Sequence, residues 1–288
     1  MKSRRRKKRP RILPFGALLA TVLIVWTIIG NGSVQRTNTD FASARVPEGL
    51  DGFVIAHISD LHDAVLGEDN EQIVTLVSAA QPDIIVLTGD MVDSNRVNIE
   101  RSASLVSQLC QVAPVFYANG NHEAALTYNE YHRFTKLIRD AGATVLEDAE
   151  AILDVNGTYL QIVGLNDPGF IPGTNAEKFA EVERQLSRLA RGDMFTLVLA
   201  HRPELIDNYA ACGVELVLSG HVHGGQIRLP LIGGIYAPSQ GLFPKYDAGL
   251  YTMNATAMIV SRGIGNSTFP LRFNNRPEVI IIALKSGK

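Results

Sequence analysis

Five short polar motifs in the chain combine carboxylate, imidazole and carboxamide side chains, and each comes directly after a short apolar run. Oxygen and nitrogen ligands of this kind suit divalent transition metals. Seven of the side chains could bind metal, which is enough for two five- or six-coordinate ions that share one carboxylate and a solvent molecule. The sequence therefore predicts a two-metal site whose ligands are Asp60, His62, Asp90, Asn121, His201, His221 and His223.

Asp90 is the residue that we expect to bridge the two ions. It ends the stretch Ile84-Ile85-Val86-Leu87-Thr88-Gly89-Asp90. The uninterrupted apolar and β-branched run is typical of a strand buried on both faces. Open α/β sheets bind their ligands at the carboxyl tips of such strands. A carboxylate at that tip has two oxygens and can contact two cations.

The segments that must position these motifs alternate between predicted strands and helices. Amphipathic helices are predicted over residues 70–80, 99–109, 128–140 and 177–190, and Asn156-Gly157 between apolar runs predicts a hairpin. Helices between strands of parallel type, together with hairpins, predict the α/β class, with two sheets packed face to face and helices outside. We place this domain at residues 52–288.

The amino-terminal segment differs from the rest of the chain in charge and hydropathy. Residues 1–11 hold eight of the 27 basic residues and no acid, which leaves 19 basic against 29 acidic residues elsewhere, a net charge of −10. An acidic domain argues against nucleic acid as a partner. Residues 12–30 are uncharged and apolar apart from two threonines. As a helix, they would rise roughly 28 Å, about the thickness of the hydrocarbon layer.

These features predict a basic cytoplasmic head at 1–11, a single-pass transmembrane anchor at 12–30 and a polar linker at 31–51. Cations before the apolar span place the amino terminus in the cytoplasm and the domain outside it, at the cell membrane. A cleaved signal peptide has a similar basic and apolar pattern, and Arg4-Arg5-Arg6 also permits twin-arginine export. Cys110 and Cys212, the two cysteines, are interpreted as unpaired thiols, although an oxidising compartment would permit a disulfide.

The order Asp-x-His, Gly-Asp, Gly-Asn-His-Glu, His and Gly-His-x-His resembles the calcineurin-like metallophosphoesterase superfamily over residues 52–284. Gly-His-Val-His-Gly-Gly-Gln and the segments 261–265 and 276–278 look like its bacterial membrane-anchored or exported branch. The resemblance implies a four-layer αββα fold and hydrolysis of a phosphate ester. It implies one metal on Asp60, His62 and His223, and another on Asn121, His201 and His221, with Asp90 between them.

The resemblance also implies that His122 steadies the phosphate and assists the leaving group, and the metals expected are Mn, Fe or Zn. Guanidinium groups pair well with phosphate, so Arg262, Arg272 and Arg276 are candidates for binding the rest of the substrate, with Arg262 and Arg276 preferred; surface ion pairs are the alternative. Glu123 could orient a ligand or simply be a solvated loop acid.

One departure from the superfamily bears on the substrate. Its protein phosphatases follow Gly-Asp-x-x-Asp with Arg-Gly, whereas this chain has Ser94-Asn95 after Asp93. The missing arginine favours a phosphodiester or a pyrophosphate over a phosphomonoester, and the first hypothesis is a phosphodiester in a small molecule or lipid. A phosphomonoester, a pyrophosphate in a nucleotide-linked lipid precursor, and a metal-binding scaffold with a relic site stay as alternatives.

Overall fold

The computed structural model describes residues 12–266 and 271–287. The basic head predicted at 1–11 lies outside the described residues. Within the described ranges the helices are α1 Ile12–Asn31, α2 Glu71–Ser78, α3 Ile99–Cys110, α4 Asn121–Ala124, α5 Tyr128–Asp140, α6 Asn175–Leu189 and α7 Ile206–Ala211.

The strands alternate with these helices in the first half of the chain and become shorter in the second half. They are β1 Gln35–Ser43, β2 Val54–Ile58, β3 Ile84–Thr88, β4 Val115–Ala118, β5 Thr144–Val145, β6 Ala149–Val155, β7 Thr158–Gly164, β8 Phe195–Leu199, β9 Leu216–Ser219, β10 Arg228–Leu229, β11 Gly233–Gly234, β12 Tyr236–Ala237, β13 Gly241–Leu242, β14 Gly249–Met253, β15 Thr256–Val260 and β16 Glu278–Ser286.

Twelve of these strands form two mixed sheets of six. The first has the order β1-β16-β2-β3-β4-β5 and the second has the order β14-β15-β9-β8-β7-β6. In the first sheet β2, β3 and β4 run parallel, and in the second β7, β8, β9 and β15 do so. Parallel neighbours bring the carboxyl ends of their strands to one edge, where the predicted metal motifs follow.

Three apolar clusters define four layers. The central cluster joins the facing sheets through residues such as Val86, Phe116 and Leu218. A second cluster packs α2, α3 and α5 on the first sheet, and a third packs α6 and α7 on the second sheet. Helix, sheet, sheet and helix therefore stack in that order, as predicted, because each sheet is apolar on both faces and needs two covers.

The linker predicted at 31–51 is wrong in its central part, nine residues of which form a strand of the domain. Residues 35–43 form β1, which pairs in parallel with β16 from Gln35 opposite Glu278 to Ser43 opposite Ser286. Exposed and half-buried residues alternate along β1, and Phe41 is its one buried residue. Because the strand contributes so little to the core, most of its side chains can be polar. A polar edge strand of this kind lacks the apolar run by which the other strands were predicted. The domain therefore begins near residue 35.

Helix α1 covers the predicted anchor, 12–30, and leaves many apolar side chains exposed. Trp26, Ile28 and Ile29 are each more than 60% exposed. No helix among the described residues has both the length and the hydropathy of a membrane span, so the structure does not support the transmembrane prediction.

Candidate metal centre

The metal motifs are turns that directly follow the buried strands. Asp60 and His62 come after β2, Asp90 after β3, Asn121 after β4, and His201 and His221 after β8 and β9. Backbone hydrogen bonds join neighbouring turns: Asp60 N–H donates to Gly89 O at 3.0 Å, and His62 N–H donates to Asp90 O at 3.0 Å. These bonds fix the turns relative to one another.

Two motif glycines allow the turns to approach closely. A Cβ on Gly120 would overlap the Asp90 carboxylate, and a Cβ on Gly220 would overlap Ser59 Oγ and Asp60 Oδ2. Any larger residue at either position would displace a predicted metal ligand. The glycines of Gly-Asn-His-Glu and Gly-His-x-His are thus explained by contact with the carboxylates.

Several predicted ligands have strained backbones. Asp60, His62, Asp90, His221 and His223 all have positive φ, between 48° and 71°. Residues other than glycine occupy this region at an energetic cost, which a fold tolerates chiefly where function requires it. A residue with left-handed φ turns the chain sharply after each of these strands. The turns bring the ligand side chains together at the carboxyl ends of the strands.

The first ligand cluster consists of Asp60, His62 and His223, all of them buried. His62 Nε2 lies 3.1 Å from His223 Nε2. His223 Nε2 lies 3.6 Å from Asp60 Oδ1, and His62 Nε2 lies 4.0 Å from that oxygen. The three atoms surround one point.

The second cluster consists of Asp90, His201 and His221. His201 Nε2 lies 3.1 Å from Asp90 Oδ2 and 3.2 Å from Asn121 Oδ1. His201 Nδ1 donates to Thr88 O at 2.7 Å, which leaves Nε2 as the metal-binding atom when the ring is neutral. The structure thus brings Asn121 to the same cluster.

One oxygen of Asp90, Oδ2, lies between the two clusters. Oδ2 is 3.1 Å from His201 Nε2 and 3.7 Å from His62 Nε2, one residue of each cluster. Oδ1 accepts the backbone N–H of His122 at 2.7 Å, which orients the carboxylate. Asp90 Oδ2 is consequently close to both clusters, and the bridging of two ions by Asp90 stays a prediction.

The donor set fits two cations. The Nε2 atoms of His62 and His223 point at each other, and His62 Nδ1 is buried with no hydrogen-bond partner among the described residues. Metal–ligand distances of about 2.1 Å place neighbouring ligand atoms roughly 3.0–3.5 Å apart, similar to the separations found here. The residues present would hold two divalent ions, one in each cluster.

Charge within the site is balanced by histidine in the absence of metal. Burial opposes protonation of His201, but the Asp90 carboxylate outweighs it and raises the pKa of His201 to about 10. Burial likewise opposes ionisation of Asp90, yet His201 keeps the Asp90 pKa well below its usual value. The pair therefore holds one positive and one negative charge, and a metal ion would replace the proton on His201.

Glu123 has a structural role that sequence reasoning did not resolve. Its buried carboxylate accepts the backbone N–H groups of Asp90 and Gly120 at 2.8 Å each, Met91 at 2.7 Å and Val92 at 3.1 Å. It joins the turn after β3 to the turn after β4. The bond back to the Gly120 N–H has the geometry of the return half of a capping box, but glycine has no side chain for the other half, so the usual Ser/Thr-x-x-Glu signal is absent from the sequence.

His122 lies beside the first cluster, with its ring centroid 4.4 Å from that of His62 in an edge-to-face arrangement. Its Nδ1 accepts the backbone N–H of Ser94 at 3.0 Å, and Ser94 Oγ lies 3.1 Å away. Because Nδ1 is an acceptor, the neutral ring carries its proton on Nε2. His122 can therefore present an N–H to a bound group.

The arginines predicted to bind substrate have other contacts. Arg262 Nε lies 3.5 Å from Glu278, and Arg276 Nη2 donates to Ser33 Oγ at 2.8 Å. Substrate binding by these two residues stays a prediction. Arg272, the third candidate, lies at the site: it is 1% exposed, and its Nη2 lies 3.1 Å from His223 Nδ1.

Comparison with known proteins agrees with this geometry. The family model for the calcineurin-like phosphoesterase matches residues 53–225. The chain is 31% identical over 286 residues to the uncharacterized metallophosphoesterase YkuE of Bacillus subtilis strain 168, covering 94% of this chain and 95% of that one. The chain belongs to the calcineurin-like phosphoesterase family.

Two further comparisons concern a second relative and the fold. The phosphodiesterase YaeI of Escherichia coli K12 is 31% identical over 205 residues, which is 71% of each chain. The solved structure of TT1561 of Thermus thermophilus superposes with a TM-score of 0.52 at 14% identity, covering 74% of this chain and 90% of that one. The second match shows the shared fold alone. Metal-dependent hydrolysis of a phosphate ester is the activity class that the family supports.

Proposed function

We propose that the protein is a phosphodiesterase that uses two divalent metal ions. The observation that carries the proposal is the pair of ligand clusters on either side of Asp90 Oδ2, with atoms 3.1 and 3.7 Å away. A bridging carboxylate between two sets of imidazole and oxygen ligands suits a phosphate that contacts both ions. Ions bound there would lower the pKa of a water and offset the charge of the phosphoryl oxygens.

The side chains of the site would then perform the remaining tasks. The water oxygen bonds to phosphorus while the bond from phosphorus to the leaving oxygen breaks, giving a phosphomonoester and an alcohol. His122 would donate a hydrogen bond from Nε2–H to the leaving oxygen, since Ser94 holds Nδ1 as an acceptor. The proton from the attacking water passes to solvent, and the leaving oxygen takes up a proton from solvent.

The turn after Asp90 favours a diester over a monoester. At the position where the phosphatases carry arginine, Ser94 contacts His122 Nδ1 instead. The nearby Arg96 pairs with Asp93 Oδ2 at 3.2 Å, and its side chain is 72% exposed. No guanidinium from this turn, all of which the structure describes, is therefore engaged at the site to offset the second negative charge of a phosphomonoester.

Other activities are kept as alternatives to be tested. A phosphomonoesterase and a pyrophosphohydrolase of a nucleotide-linked lipid precursor could use the same two ions. A metal-binding scaffold with a relic site is the non-enzymatic alternative. The presence of all seven predicted ligands at the two clusters speaks against a relic.

An assay of purified protein with added Mn²⁺, Fe²⁺ or Zn²⁺ would separate these functions. Bis(p-nitrophenyl) phosphate should be hydrolysed with kcat/KM at least about 10-fold above that of p-nitrophenyl phosphate. Preference for the monoester would favour the phosphomonoesterase, and metal binding without turnover of either compound or of a pyrophosphate would favour the scaffold. Elemental analysis of the active protein would identify the metal, which we propose is Mn, Fe or Zn.

We also propose that the protein acts at the cell membrane with its catalytic domain on the extracytoplasmic side. Eight cations precede α1, and α1 exposes apolar side chains such as Trp26 and Ile29. Protease added to spheroplasts should digest the domain and leave cytoplasmic proteins intact. Complete protection of the domain would contradict this location.

A further inference from the structure

An apolar groove lies between α1 and the carboxyl-terminal half of the domain. It encloses about 520 Å³, and its walls are aliphatic and aromatic. Exposed apolar residues continue beyond it: Leu231 is fully exposed, and Leu242 and Phe243 are 69% and 63% exposed. Exposed apolar surface of this extent usually marks a binding site. The main lining residues are Leu23, Ile24, Ile28, Ile227, Leu229 and Leu271.

Helix α1 is fixed to the segment that forms the other wall. Asn31 Nδ2 donates to Arg272 O at 2.7 Å, and Arg272 N–H donates to Asn31 Oδ1 at 2.9 Å. This pair of bonds joins the end of α1 to the residue after Leu271. The groove is therefore a built feature of the domain.

Residues on both walls of the groove are next in sequence to residues that contact the predicted metal ligand His223. Arg272, which follows groove residue Leu271, places Nη2 at 3.1 Å from Nδ1 of the ligand His223. On the opposite wall, Ile227 follows Gln226, whose N–H donates to His223 O at 3.0 Å. A molecule in the groove would consequently have one end close to the first metal cluster.

A polar cavity adjoins the second cluster. It encloses about 260 Å³ and is lined by Lys178, Arg202, Glu204 and Ser239, among others. Ser239 Oγ lies 3.2 Å from Nε2 of the ligand His221 and accepts from Arg202 Nη1 at 3.1 Å. This cavity therefore begins where the second metal ion would be bound.

Glu204 gives the cavity a chemical preference. Its two oxygens are buried and have no hydrogen-bond partner among the described residues, although Arg202 Nη1 lies 3.5 Å and His221 Nε2 4.0 Å from Oε1. Buried carboxylate oxygens without donors are costly. A ligand hydroxyl or ammonium would supply the missing donors.

We infer that the substrate is an amphiphilic phosphodiester taken from a lipid bilayer. Its phosphate would lie on the two metal clusters, its hydrocarbon chain in the groove beside His223, and its head group in the cavity around Glu204. The inference rests on the proposed phosphodiesterase function, because a diester has two substituents and the site has one apolar and one polar side. A monoester would leave one of them empty.

The charge distribution of the protein, as well as the groove, supports a bilayer as the source of the substrate's hydrocarbon chain. The eight cations of residues 1–11 immediately precede α1 in the sequence, whereas the rest of the chain carries a net charge of −10. Basic residues next to an exposed apolar helix favour an anionic membrane surface. The groove would then open toward the layer that holds the substrate.

Two chromogenic diesters test the groove: octyl p-nitrophenyl phosphate and methyl p-nitrophenyl phosphate, used below the concentration at which the octyl compound forms micelles. The two compounds share a leaving group and differ in the length of the alkyl chain. The full-length protein with Mn²⁺ should hydrolyse the octyl compound with kcat/KM at least about 10-fold higher. Equal values for the two compounds would overturn the inference while leaving the phosphodiesterase in place, and hydrolysis of neither would overturn both.

Substitutions in the groove test whether the groove causes the preference for the octyl compound. Ile28→Ser and Leu271→Ser should each lower the octyl-to-methyl ratio of kcat/KM about 5- to 10-fold. The control Ile152→Ser changes an apolar residue of β6 that is 42% exposed and lies outside the groove, and the ratio should stay unchanged. A similar loss of the ratio in all three variants, or in none, would contradict the assignment.

The head-group cavity is tested with octyl 2,3-dihydroxypropyl phosphate against octyl methyl phosphate, with products followed by ³¹P NMR. Glu204→Gln should lower the preference for the dihydroxypropyl compound about 5- to 10-fold, because an amide has one acceptor oxygen instead of two. An unchanged preference would remove Glu204 from recognition.

Sedimentation with vesicles tests the source of the substrate. The full chain should bind phosphatidylglycerol vesicles at least about 10-fold more tightly than phosphatidylcholine vesicles, and Ile28→Ser should weaken that binding. If the groove is instead covered by a second copy of the chain, the protein would be a dimer in solution that Ile28→Ser and Leu271→Ser dissociate. That result, or binding to neither type of vesicle, would overturn the bilayer as the source.

Discussion

The Glu123 carboxylate accepts the backbone N–H of Asp90 at 2.8 Å, although the two residues belong to different turns. Three more backbone N–H groups, from Met91, Val92 and Gly120, donate to the same carboxylate. The position of the bridging residue therefore depends on a side chain that does not bind metal. Outer residues of this kind often matter nearly as much as the ligands that they support.

Replacing Glu123 by alanine should destabilise the metal-free protein by about 3 kcal/mol or more, since four buried N–H groups would lose their acceptor. Metal content should also fall, because the turn that carries Asp90 would relax. Urea unfolding and elemental analysis measure the two effects. The control Glu100→Ala removes an exposed ion pair with Arg133 and should change stability by less than about 0.5 kcal/mol. Equal stability of both variants would contradict the role assigned to Glu123.

Loss of Asp90 should be more damaging than loss of a ligand to one ion. Asp90→Ala would leave two cations facing each other with one fewer shared negative charge, so the second ion should bind poorly. We expect fewer than two metals per chain and no measurable turnover. His62→Ala removes a neutral ligand from one cluster, and water in excess Mn²⁺ could partly replace it. Elemental analysis of both variants checks this; two tightly held ions in Asp90→Ala would show that Asp90 is not the bridge.

His122 should be needed for turnover more than for metal binding. His122→Ala should lower kcat by roughly 10²- to 10³-fold, the usual loss when one hydrogen-bond donor to developing charge is removed, with both metals retained. Ser94→Ala is the matched comparison, because the Ser94 backbone N–H that fixes the ring stays in place and only Oγ is lost. Its kcat should fall by less than about 10-fold. A missing metal ion in His122→Ala would mean that His122 is a ligand.

The buried His57 should make the protein sensitive to acid. Burial lowers the pKa of His57 to about 3, from about 6.5 in the unfolded chain. The unfolded state therefore binds the extra proton, and stability is lost as the pH falls below about 6.5. At pH 5 the loss from this residue should be about 2 kcal/mol.

The variant His57→Gln isolates that contribution, because glutamine can still contact Thr88 Oγ1, which lies 2.8 Å from His57 Nε2. Denaturant unfolding at pH 7 and pH 5 should show that the variant loses about 2 kcal/mol less stability between the two values than the wild type. The same loss in both proteins would show that other groups cause the acid sensitivity.

The metal motifs could be predicted because each follows a strand whose apolar run is visible in the sequence. Val86 and Leu87 of β3 and Leu216 to Leu218 of β9 are completely buried, and no polar residue interrupts either strand before its last position. The tips of parallel strands meet at one edge of a sheet, so the convergence of Asp60 with Asp90, and of His201 with His221, followed from order alone, whereas the approach of the two sheets' edges did not. Helix α5, at Tyr128–Asp140, also matches its predicted bounds.

The features that were missed depend on contacts between distant segments. Strand β1 is polar and is held by β16, more than 240 residues away, so local composition indicated a linker. Arg272 was one of several arginines in the tail, and only the fold shows that it is buried beside His223. The short strands β11, β12 and β13 have two residues each and leave no periodic pattern to detect.

The insertion of β16 between β1 and β2 affects how the protein can be made. The first sheet cannot be complete until Glu278–Ser286 has left the ribosome, since β1 has no other neighbour in that sheet. Until then β1 must wait unpaired while some 240 further residues are synthesised. Long-range pairing of this kind slows folding. Translation of β16 is therefore the step that allows the first sheet to be completed.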